Sequence, residues 1–292
     1  MILITGATGH LGKATLKFLT AANPQLKTAA LVRNPDKAGD LAATGAELRK
    51  GDYDDYASLS EAFAGVDTLF FVSSNDVHSR RTQQANVVKA AKEAGVKHII
   101  YTSFQRRTED GTSPVAFIAD AHIETEKQIK ASGIPYTILK NALYLDLLPA
   151  IIGETLPEGR PLALPAGNGK TSFALREDMA EAAARILAGS GHENKTYEIA
   201  GTVSLSFDDI ARILQEITGR PVTYTDTTPE AYTEAAGRAG VPAEASAFWA
   251  AFLTAVKQGE FDFPGTELKN LLGREPVSAK TYLQSVYAPA KA

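Results

Sequence analysis

The stretch Ile2-Leu-Ile-Thr-Gly-Ala-Thr-Gly-His-Leu-Gly12 decides the fold of this chain. Its first three residues are apolar and predict a buried strand, and three glycines then follow at a spacing of three residues. The segment Lys13–Thr20 continues with the apolar spacing of a helix. A pyrophosphate at such a turn would meet backbone N–H groups and the positive end of the helix dipole, with no Cβ in the way. We therefore predict a dinucleotide site here, with a strand, turn and helix that bind nothing as the alternative.

The residues that follow the predicted strands indicate which dinucleotide binds. Arg33 ends the second apolar stretch, at the position where an acid would accept from the adenosine ribose 2′-OH and repel a 2′-phosphate. An arginine there supplies a forked donor that suits a phosphate, which favours NADP, with NADPH preferred over NADH. Asp52 is predicted to accept from the adenine amino group, with a turn aspartate as an equal alternative. The cofactor contacts predicted at this point are Gly6, Ala7, Thr8, Gly9, His10, Leu11, Gly12, Arg33, Asp52, Ser73, Ser74, Asn75, Thr102 and Ser103.

The composition excludes several classes of function. The chain has 292 residues, 44% of them hydrophobic, and a net charge of −4 without a basic block, so nucleic acid is not an expected partner. It has no cysteine, so it forms no disulfide and no thiolate site. No apolar run approaches the ~20 residues that cross a membrane and no signal peptide is evident, so we expect a cytoplasmic protein without membrane insertion. No histidine or acidic cluster has metal-ligand spacing, so no metal is predicted.

Apolar stretches alternate with helical patterns through the first half of the chain. This alternation predicts right-handed crossovers and a Rossmann-type α/β fold with a doubly wound parallel sheet. The pattern changes near Leu143, so we predict an NADP-binding Rossmann domain over 1–142 and a smaller C-terminal α/β substrate lobe over 143–292. The prediction allows some strands and helices after residue 142 to pack with the first domain. The predicted strands after the first are Thr28–Arg33, Ala46–Gly51, Val66–Val72, Val96–Thr102, Pro135–Lys140, Lys195–Ala200 and Val222–Thr225.

Several local features are also predicted from the turn and cap signals. Arg106–Pro114 is polar and is expected to form a mobile loop over the site. The other predictions are a capping box at Ser58–Glu61, helices at Ser79–Ala94, Ala119–Ser132, Leu143–Leu148 and Arg176–Leu187, a loop and hairpin over Gly153–Lys170, and a helical region over Pro229–Lys257.

Four stretches together resemble a known family: Gly6–Gly12, Leu31–Pro35, Ala119–Lys127 and Leu139–Asn141. On these residues the chain is similar to the short-chain dehydrogenase/reductase superfamily, in its atypical NmrA-like branch. Within that branch it most resembles the subgroup of bacterial NADPH:quinone oxidoreductases of type 2 and triphenylmethane reductases. The resemblance covers essentially the whole chain and implies an NADP-dependent oxidoreductase.

The chain departs from this superfamily at the catalytic tyrosine. Members typically carry Tyr-x-x-x-Lys on a helix, where the tyrosine exchanges a proton with the substrate oxygen and the lysine lowers its pKa. The resemblance places Ile118 at the tyrosine position and His122 at the lysine position, so the acid is missing. Two kinds of acceptor suit a site without an acid. A quinone forms an anion on hydride addition, which water can protonate, and a dye cation needs no proton. The resemblance therefore implies NADPH-dependent hydride transfer to a quinone or similar planar electrophile; the alternative is a non-catalytic, NADP-binding redox sensor that regulates a partner protein.

The resemblance also implies where the acceptor would bind. Phe104 and Tyr144 are the candidates to stack on it, with core packing as the alternative. His122 and Glu126 lie one turn apart on a predicted helix, and form either a polar pair near the ribose or acceptor or a surface pair that binds nothing. A small planar acceptor is the expected partner, and the sequence leaves a homodimer open. The implied catalytic residues are His122, Asn141 and Tyr144, and the implied contacts at the nicotinamide end are Tyr136, Thr137, Ile138, Leu139, Lys140 and Asn141.

Overall fold

The computed structural model describes residues 1–153, 155–156 and 161–288 of the chain. Within these ranges eleven strands form one seven-stranded sheet and two sheets of two strands each. In chain order the strands are β1 (Ile2–Ile4), β2 (Thr28–Val32), β3 (Glu47–Lys50), β4 (Thr68–Phe71), β5 (His98–Phe104), β6 (Tyr136–Asn141), β7 (Leu162–Leu164), β8 (Lys170–Thr171), β9 (Lys195–Ile199), β10 (Leu205–Ser206) and β11 (Tyr224–Asp226).

Twelve α-helices occur in the same part of the chain. They are α1 (His10–Ala22), α2 (Gly39–Ala42), α3 (Tyr56–Ala62), α4 (Arg80–Glu93), α5 (Ala116–Ser132), α6 (Leu148–Ile152), α7 (Arg176–Ala188), α8 (Phe207–Thr218), α9 (Pro229–Arg238), α10 (Ala243–Lys257), α11 (Glu267–Leu272) and α12 (Ala279–Tyr287). None of these described helices is long and apolar enough to cross a membrane.

The large sheet has the strand order β3-β2-β1-β4-β5-β6-β9, and every neighbouring pair is parallel. The strand order reverses between β1 and β4, so their carboxyl ends border a crevice of the kind in which doubly wound sheets bind ligands. Ile2 and Ile4 pack with α1 and α7 on one face of the sheet, whereas Leu3 packs with α3 and α4 on the other. This alternation buries both faces, as a parallel sheet requires. The predicted fold class is confirmed.

Two elements from beyond residue 142 belong to the central sheet. Helix α7 packs against α1, and β9 pairs in parallel with β6. Helix α11 packs against α7 and β9 and so also joins the core of the central sheet. Most of the remaining elements form a separate apolar cluster around Phe207, Phe252 and Phe261, with β7 paired to β11 and β8 paired to β10. We retain the division at residue 142 as a proposal, with α7, β9 and α11 as the elements that return.

Several local predictions need correction. β7 and β8 do not pair with each other, so no hairpin joins them; residues 154 and 157–160 of that predicted loop lie outside the described residues. The helical region over Pro229–Lys257 is two helices, because Gly240 adopts a positive φ of +84° and Pro242 follows it. The predicted strand at Val222 begins only at Tyr224, where pairing with β7 starts.

Two helix starts also differ from the sequence prediction. Ser58 is not the first residue of a capping box, because the Asp55 side chain caps α3 by accepting from the Ser58 N–H (3.2 Å). The short helix expected at Leu143–Leu148 is a 3₁₀ turn at Leu145–Leu147 that leads into α6. Elsewhere the helices at 79–94, 119–132 and 176–187 occur as predicted, within a few residues at their ends.

Candidate active site

The glycine turn after β1 has no room for side chains. Gly6 has a φ of +58°, and a Cβ on it would lie 2.9 Å from Val72 Cβ. A Cβ on Gly12 would lie 2.5 Å from the Gly6 carbonyl oxygen. The Gly9 N–H donates to that same carbonyl (2.9 Å), and α1 then begins at His10 without a side-chain cap. Because the first N–H groups of a helix have no partner within it, this turn fits the pyrophosphate of a dinucleotide.

Tyr53 joins the ends of the two strands that border the crevice, a role that no pattern in the sequence indicates. Its hydroxyl lies 2.5 Å from Thr5 Oγ1 and 2.8 Å from the Val72 carbonyl oxygen. The Val72 N–H donates to the same Thr5 oxygen (2.9 Å). Burial raises the pKa of Tyr53, so it stays a neutral phenol that holds β1 against β4.

The two predicted adenosine contacts follow β2 and β3. Arg33 is the first residue after β2 and its side chain is exposed, with no acid before Asp36. Asp52 has the contacts of a turn residue, since its Oδ1 accepts from the Asp54 N–H (3.1 Å) and its own N–H donates to Ser58 Oγ (3.0 Å). These contacts favour the turn alternative for Asp52, and its contact with adenine stays a prediction.

The structure brings the predicted serine and threonine residues together at the carboxyl edge of the sheet. The Ser73 N–H, just after β4, donates to Thr102 Oγ1 in β5 (2.9 Å). The Ser74 hydroxyl donates to Gln83 in α4, and Asn75 is exposed. Ser103 donates its hydroxyl to Glu126. These residues lie on the edge that the glycine turn also borders, as expected.

The structure does not bring all of Tyr136–Asn141 to this edge. β6 starts at Tyr136, on the amino edge, where the Thr137 hydroxyl donates to the His192 carbonyl oxygen (2.7 Å). Ile138 and Leu139 are buried within the sheet, between β5 and β9. Five steps of strand separate Tyr136 from Asn141 by about 16 Å, so only the carboxyl end of β6 reaches the crevice. The assignment of Tyr136 and Thr137 to the nicotinamide end is therefore corrected.

Asn141 and Tyr144 form the end of the site beyond β6. Asn141 is buried, and its Oδ1 has no hydrogen-bond partner among the described residues. Such an orphaned acceptor fits a ligand that carries N–H groups, because unpaired buried polar atoms are costly. Burial raises the pKa of Tyr144, while Asn141 and Arg176 oppose that rise. The Arg176 guanidinium lies 5.2 Å from the centre of the Tyr144 ring and pairs with Asp146 (2.6 Å).

Behind this edge lies a chain of buried polar side chains from α4, α5 and β5. The Tyr101 hydroxyl donates to Gln84 Oε1 (3.0 Å), so His122 Nδ1 donates to Tyr101 (2.8 Å). His122 Nε2 is then left as an acceptor for Arg80 Nη1 (3.4 Å). Gln84 Nε2 donates to Thr125 Oγ1 (2.8 Å), which closes the chain. Each of these four hydrogen bonds thus joins one donor to one acceptor when His122 is neutral.

The state of His122 follows from this environment. Burial, with smaller contributions from Arg80 and Arg106, holds its pKa well below the usual range. Both ring nitrogens have partners, so neither is directed at the crevice. His122 and Glu126 are both buried, so the alternative of a surface pair is wrong, and a place for the pair near the ribose or acceptor stays a prediction. A catalytic role for His122 stays a prediction, and the contacts favour an indirect one.

A buried ion pair lies beside the polar chain. Arg106 donates to both Glu126 oxygens, at 2.9 and 3.1 Å, and to the Phe104 carbonyl oxygen at 2.9 Å. Glu260 accepts from the N–H groups of Arg107 and Thr108, at 3.1 and 3.0 Å. The predicted mobile loop is therefore fixed at its start, and its mobility farther along stays a prediction.

We call the following side chains the polar interior: Arg80, Gln84, Tyr101, Arg106, His122, Thr125 and Glu126.

Apolar groups complete the site. Ile118, which the sequence resemblance aligns with the superfamily's tyrosine, is buried in the apolar cluster of the C-terminal half. The half-buried Phe104 ring stacks on His122 with centroids 5.8 Å apart and meets Phe252 and Phe261 edge-on. Core packing thus accounts for much of the Phe104 ring surface. In the part of the chain that the structure describes, no group of three or more histidine or acidic residues could hold a metal ion.

Comparison with known proteins gives consistent matches. The sequence profile of the NmrA-like family matches residues 1–262. Quinone oxidoreductase 2 of Escherichia coli (strain K12) is 42% identical over 242 residues, which are 83% of this chain and 83% of that protein. The structure of Citrobacter sp. triphenylmethane reductase complexed with NADP(H) superposes with a TM-score of 0.90 at 37% identity, over 98% of this chain and 100% of that one. The NADPH complex of the Escherichia coli NADPH-dependent quinone oxidoreductase gives 0.88 at 37% identity, over 98% and 99%.

Proposed function

The chain belongs to the NmrA-like family, and from that membership we propose that it transfers hydride from NADPH to a quinone or similar planar electrophile. It is an enzyme of the NAD(P)H:quinone oxidoreductase type, as the sequence resemblance implied. Acid-free transfer is best supported by the buried Ile118 at the position that the resemblance gives to the tyrosine, in a chain whose glycine turn is intact. A small planar acceptor is the proposed partner.

The cofactor is NADP(H), which the relatives of known structure contain. The Gly6–Gly12 turn would hold its pyrophosphate, and Arg33 would hold its 2′-phosphate. Asn141, with its orphaned Oδ1, is the residue we assign to the nicotinamide end. When bound, NADPH supplies the hydride that the acceptor takes up.

The chain's own contribution is to hold the acceptor in position for hydride transfer. Tyr144 is the better of the two stacking candidates, because Phe104 already packs against three other rings. The Arg176 guanidinium lies over one face of the Tyr144 ring, and we assign the opposite face to a flat acceptor. Positioning of this kind can supply most of the rate enhancement when the product needs no enzymatic proton. Water then protonates the hydroquinone anion.

The test is NADPH oxidation with a panel of benzoquinones and naphthoquinones, with NADPH binding measured separately by fluorescence. We expect turnover of several quinones by the wild-type protein. If NADPH binds and no acceptor is reduced, the enzyme assignment fails and the redox-sensor alternative takes its place.

Two substitutions at one position test whether an acid is absent. Tyr144→Phe keeps the ring and should retain kcat within about threefold, whereas Tyr144→Leu should raise the KM for quinones. A general acid typically contributes 10²–10⁴-fold, so a loss of about 100-fold in Tyr144→Phe would identify Tyr144 as the missing acid.

A further inference from the structure

Arg80 is a buried cation without a matching anion. It is the first residue of α4, shortly after the carboxyl end of β4, and is 7% exposed. Its Nε has no hydrogen-bond partner among the described residues, and its guanidinium contacts only the neutral His122 at 3.4 Å. The nearby Asp76 favours the charged form of Arg80, but its carboxylate accepts from the N–H groups of His78 and Ser79 and forms no direct ion pair with the guanidinium. Since burial of an unpaired charge is costly, this arrangement calls for a compensating negative charge.

The polar interior holds Arg80 in place and keeps its charge. The chain of donors runs from Arg80 through His122 and Tyr101 to Gln84, so His122 can only accept from the guanidinium. Tyr101 is buried and its pKa is raised, so it stays neutral as well. The position of the superfamily's lysine is thus occupied by a neutral ring, while the cation comes from a different helix.

Arg80 lies beside a residue that is a candidate to stack on the acceptor, because it contacts His122 (3.4 Å), whose ring stacks on Phe104 with centroids 5.8 Å apart. Arg80 is among the groups that favour the ionised form of Tyr144, although burial dominates the pKa of that tyrosine and raises it. The other charges that act there are Arg176 and Asp146, which pair with each other. Of these two cations, Arg176 pairs directly with Asp146, whereas Arg80 forms no direct ion pair among the described residues and interacts with Asp76 only at longer range.

We propose that Arg80 stabilises the negative charge that develops on the acceptor oxygen, and that it thereby selects quinones over cationic dyes. The inference rests on the proposed function. Hydride addition converts a neutral quinone into a hydroquinone monoanion while NADPH becomes NADP⁺, and one proton from water completes the hydroquinone. Addition of hydride to a triarylmethyl cation instead gives a neutral product, so a buried cation opposes binding of that substrate and gives its transition state no benefit.

The first test compares Arg80→Met with the wild-type protein for one neutral quinone and one cationic triarylmethane dye. Loss of a preorganised charge partner typically costs 10²–10³-fold, so kcat/KM for the quinone should fall by about 100-fold. The value for the dye should stay constant or rise, and the Kd for NADPH should change by less than about threefold. Arg80→Lys should recover part of the quinone activity. Arg81→Met is the matched control, because that neighbour is exposed and should affect neither acceptor.

Several outcomes overturn the inference. An equal loss with both acceptors indicates a structural role for Arg80, and a parallel rise in the Kd for NADPH indicates that it binds the cofactor. No loss with the quinone removes the role entirely. Failure of the proposed function is distinct, because the wild-type protein would then bind NADPH and reduce neither acceptor.

A second measurement needs neither turnover nor a variant. A nitrophenol bound to the wild-type complex with a tetrahydronicotinamide analogue of NADP, whose ring carries no charge, reports the local field through the absorbance of its phenolate. We expect the ionisation constant of the bound phenol to be about tenfold or more above its value in water, as an adjacent cation dictates. An unchanged or lower constant would show that the site does not favour an anion and would refute the inference, even if Arg80→Met does not fold.

Discussion

The glycine turn and the polar interior lie on the same edge of the sheet but are built in different ways. The turn is a continuous stretch whose binding groups are backbone N–H groups, and its chemistry depends on the absence of Cβ atoms. The polar interior collects side chains from α4, α5, β5 and the segment after β5. Its chemistry depends on charges and hydrogen bonds inside the protein. Substitutions that add side-chain volume should therefore damage the glycine turn most. Substitutions that remove one partner of a hydrogen bond or ion pair should damage the polar interior most.

The largest effect is expected from the ion pair of the polar interior. Arg106→Met leaves the buried Glu126 carboxylate without its guanidinium, and removal of one partner of a buried pair typically costs about 3–5 kcal/mol. Urea unfolding at neutral pH measures this loss in the free energy of unfolding. Arg81→Met is the control: its side chain is 64% exposed and its pairing with Asp120 is worth at most about 1 kcal/mol. A loss below about 1 kcal/mol in Arg106→Met would show that the pair does not stabilise the interior.

The next effect should come from the glycine turn. Gly12→Ala places a Cβ 2.5 Å from the Gly6 carbonyl oxygen, so the backbone must shift, at a cost of about 1–3 kcal/mol. Because the shift moves the N–H groups of the turn, we expect the Kd for NADPH to rise by about 100-fold. Equilibrium fluorescence titration measures it. Gly237→Ala in α9, where a Cβ meets nothing within 4 Å, should leave the Kd unchanged and slightly stabilise its helix. Equal behaviour of the two variants would contradict the close packing of the turn.

Arg33 tests whether a side chain adds selectivity to the backbone site. Arg33→Glu removes a charge-assisted contact with the 2′-phosphate and adds repulsion, so the affinity for NADPH should fall by about 10–100-fold. The affinity for NADH, which has no such phosphate, should change little. Lys37→Glu, an exposed charge reversal on the 3₁₀ turn that follows, is the matched control. Equal losses for NADPH and NADH would remove Arg33 from the 2′-phosphate site.

The smallest effect concerns the pH dependence of the polar interior. His122 has a lowered pKa in the folded protein, so below about pH 6.5 the unfolded chain takes up a proton that the folded chain does not. The free energy of unfolding then falls by about 1.4 kcal/mol per pH unit from this residue, and the contribution is fully present only above that pH. His98 and His192 act in the same direction.

His122→Gln should therefore reduce the slope of the free energy of unfolding against pH, between about pH 6.5 and 5, by up to about 1.4 kcal/mol per pH unit, which is the contribution of one proton. Urea unfolding at a series of pH values measures the slope independently of any overall destabilisation. His78→Gln, at an exposed position, should leave the slope as it is in the wild-type protein. An unaltered slope in His122→Gln would mean that the ring is protonated in the folded state.

The sequence correctly predicted those structural elements that are encoded by the residue types and spacing of one short stretch. The strand, turn and helix around Gly6–Gly12 follow from sterics and periodicity, and so do the parallel strands up to Asn141. Local signals were less reliable where two close alternatives competed. Asp55 took the cap that the sequence assigned to Ser58, and the Gly153–Lys170 segment paired with distant strands rather than with itself.

The candidate site divides in the same way. The sequence by itself determined the glycine turn and the isoleucine at position 118, because both are properties of single short stretches. Only the tertiary structure decided that Asn141 and not Tyr136 reaches the crevice, and that Arg80 meets His122 across 42 residues of sequence. The direction of a strand within a sheet and the desolvation of a charge arise from packing between distant segments. No local pattern of residues encodes them.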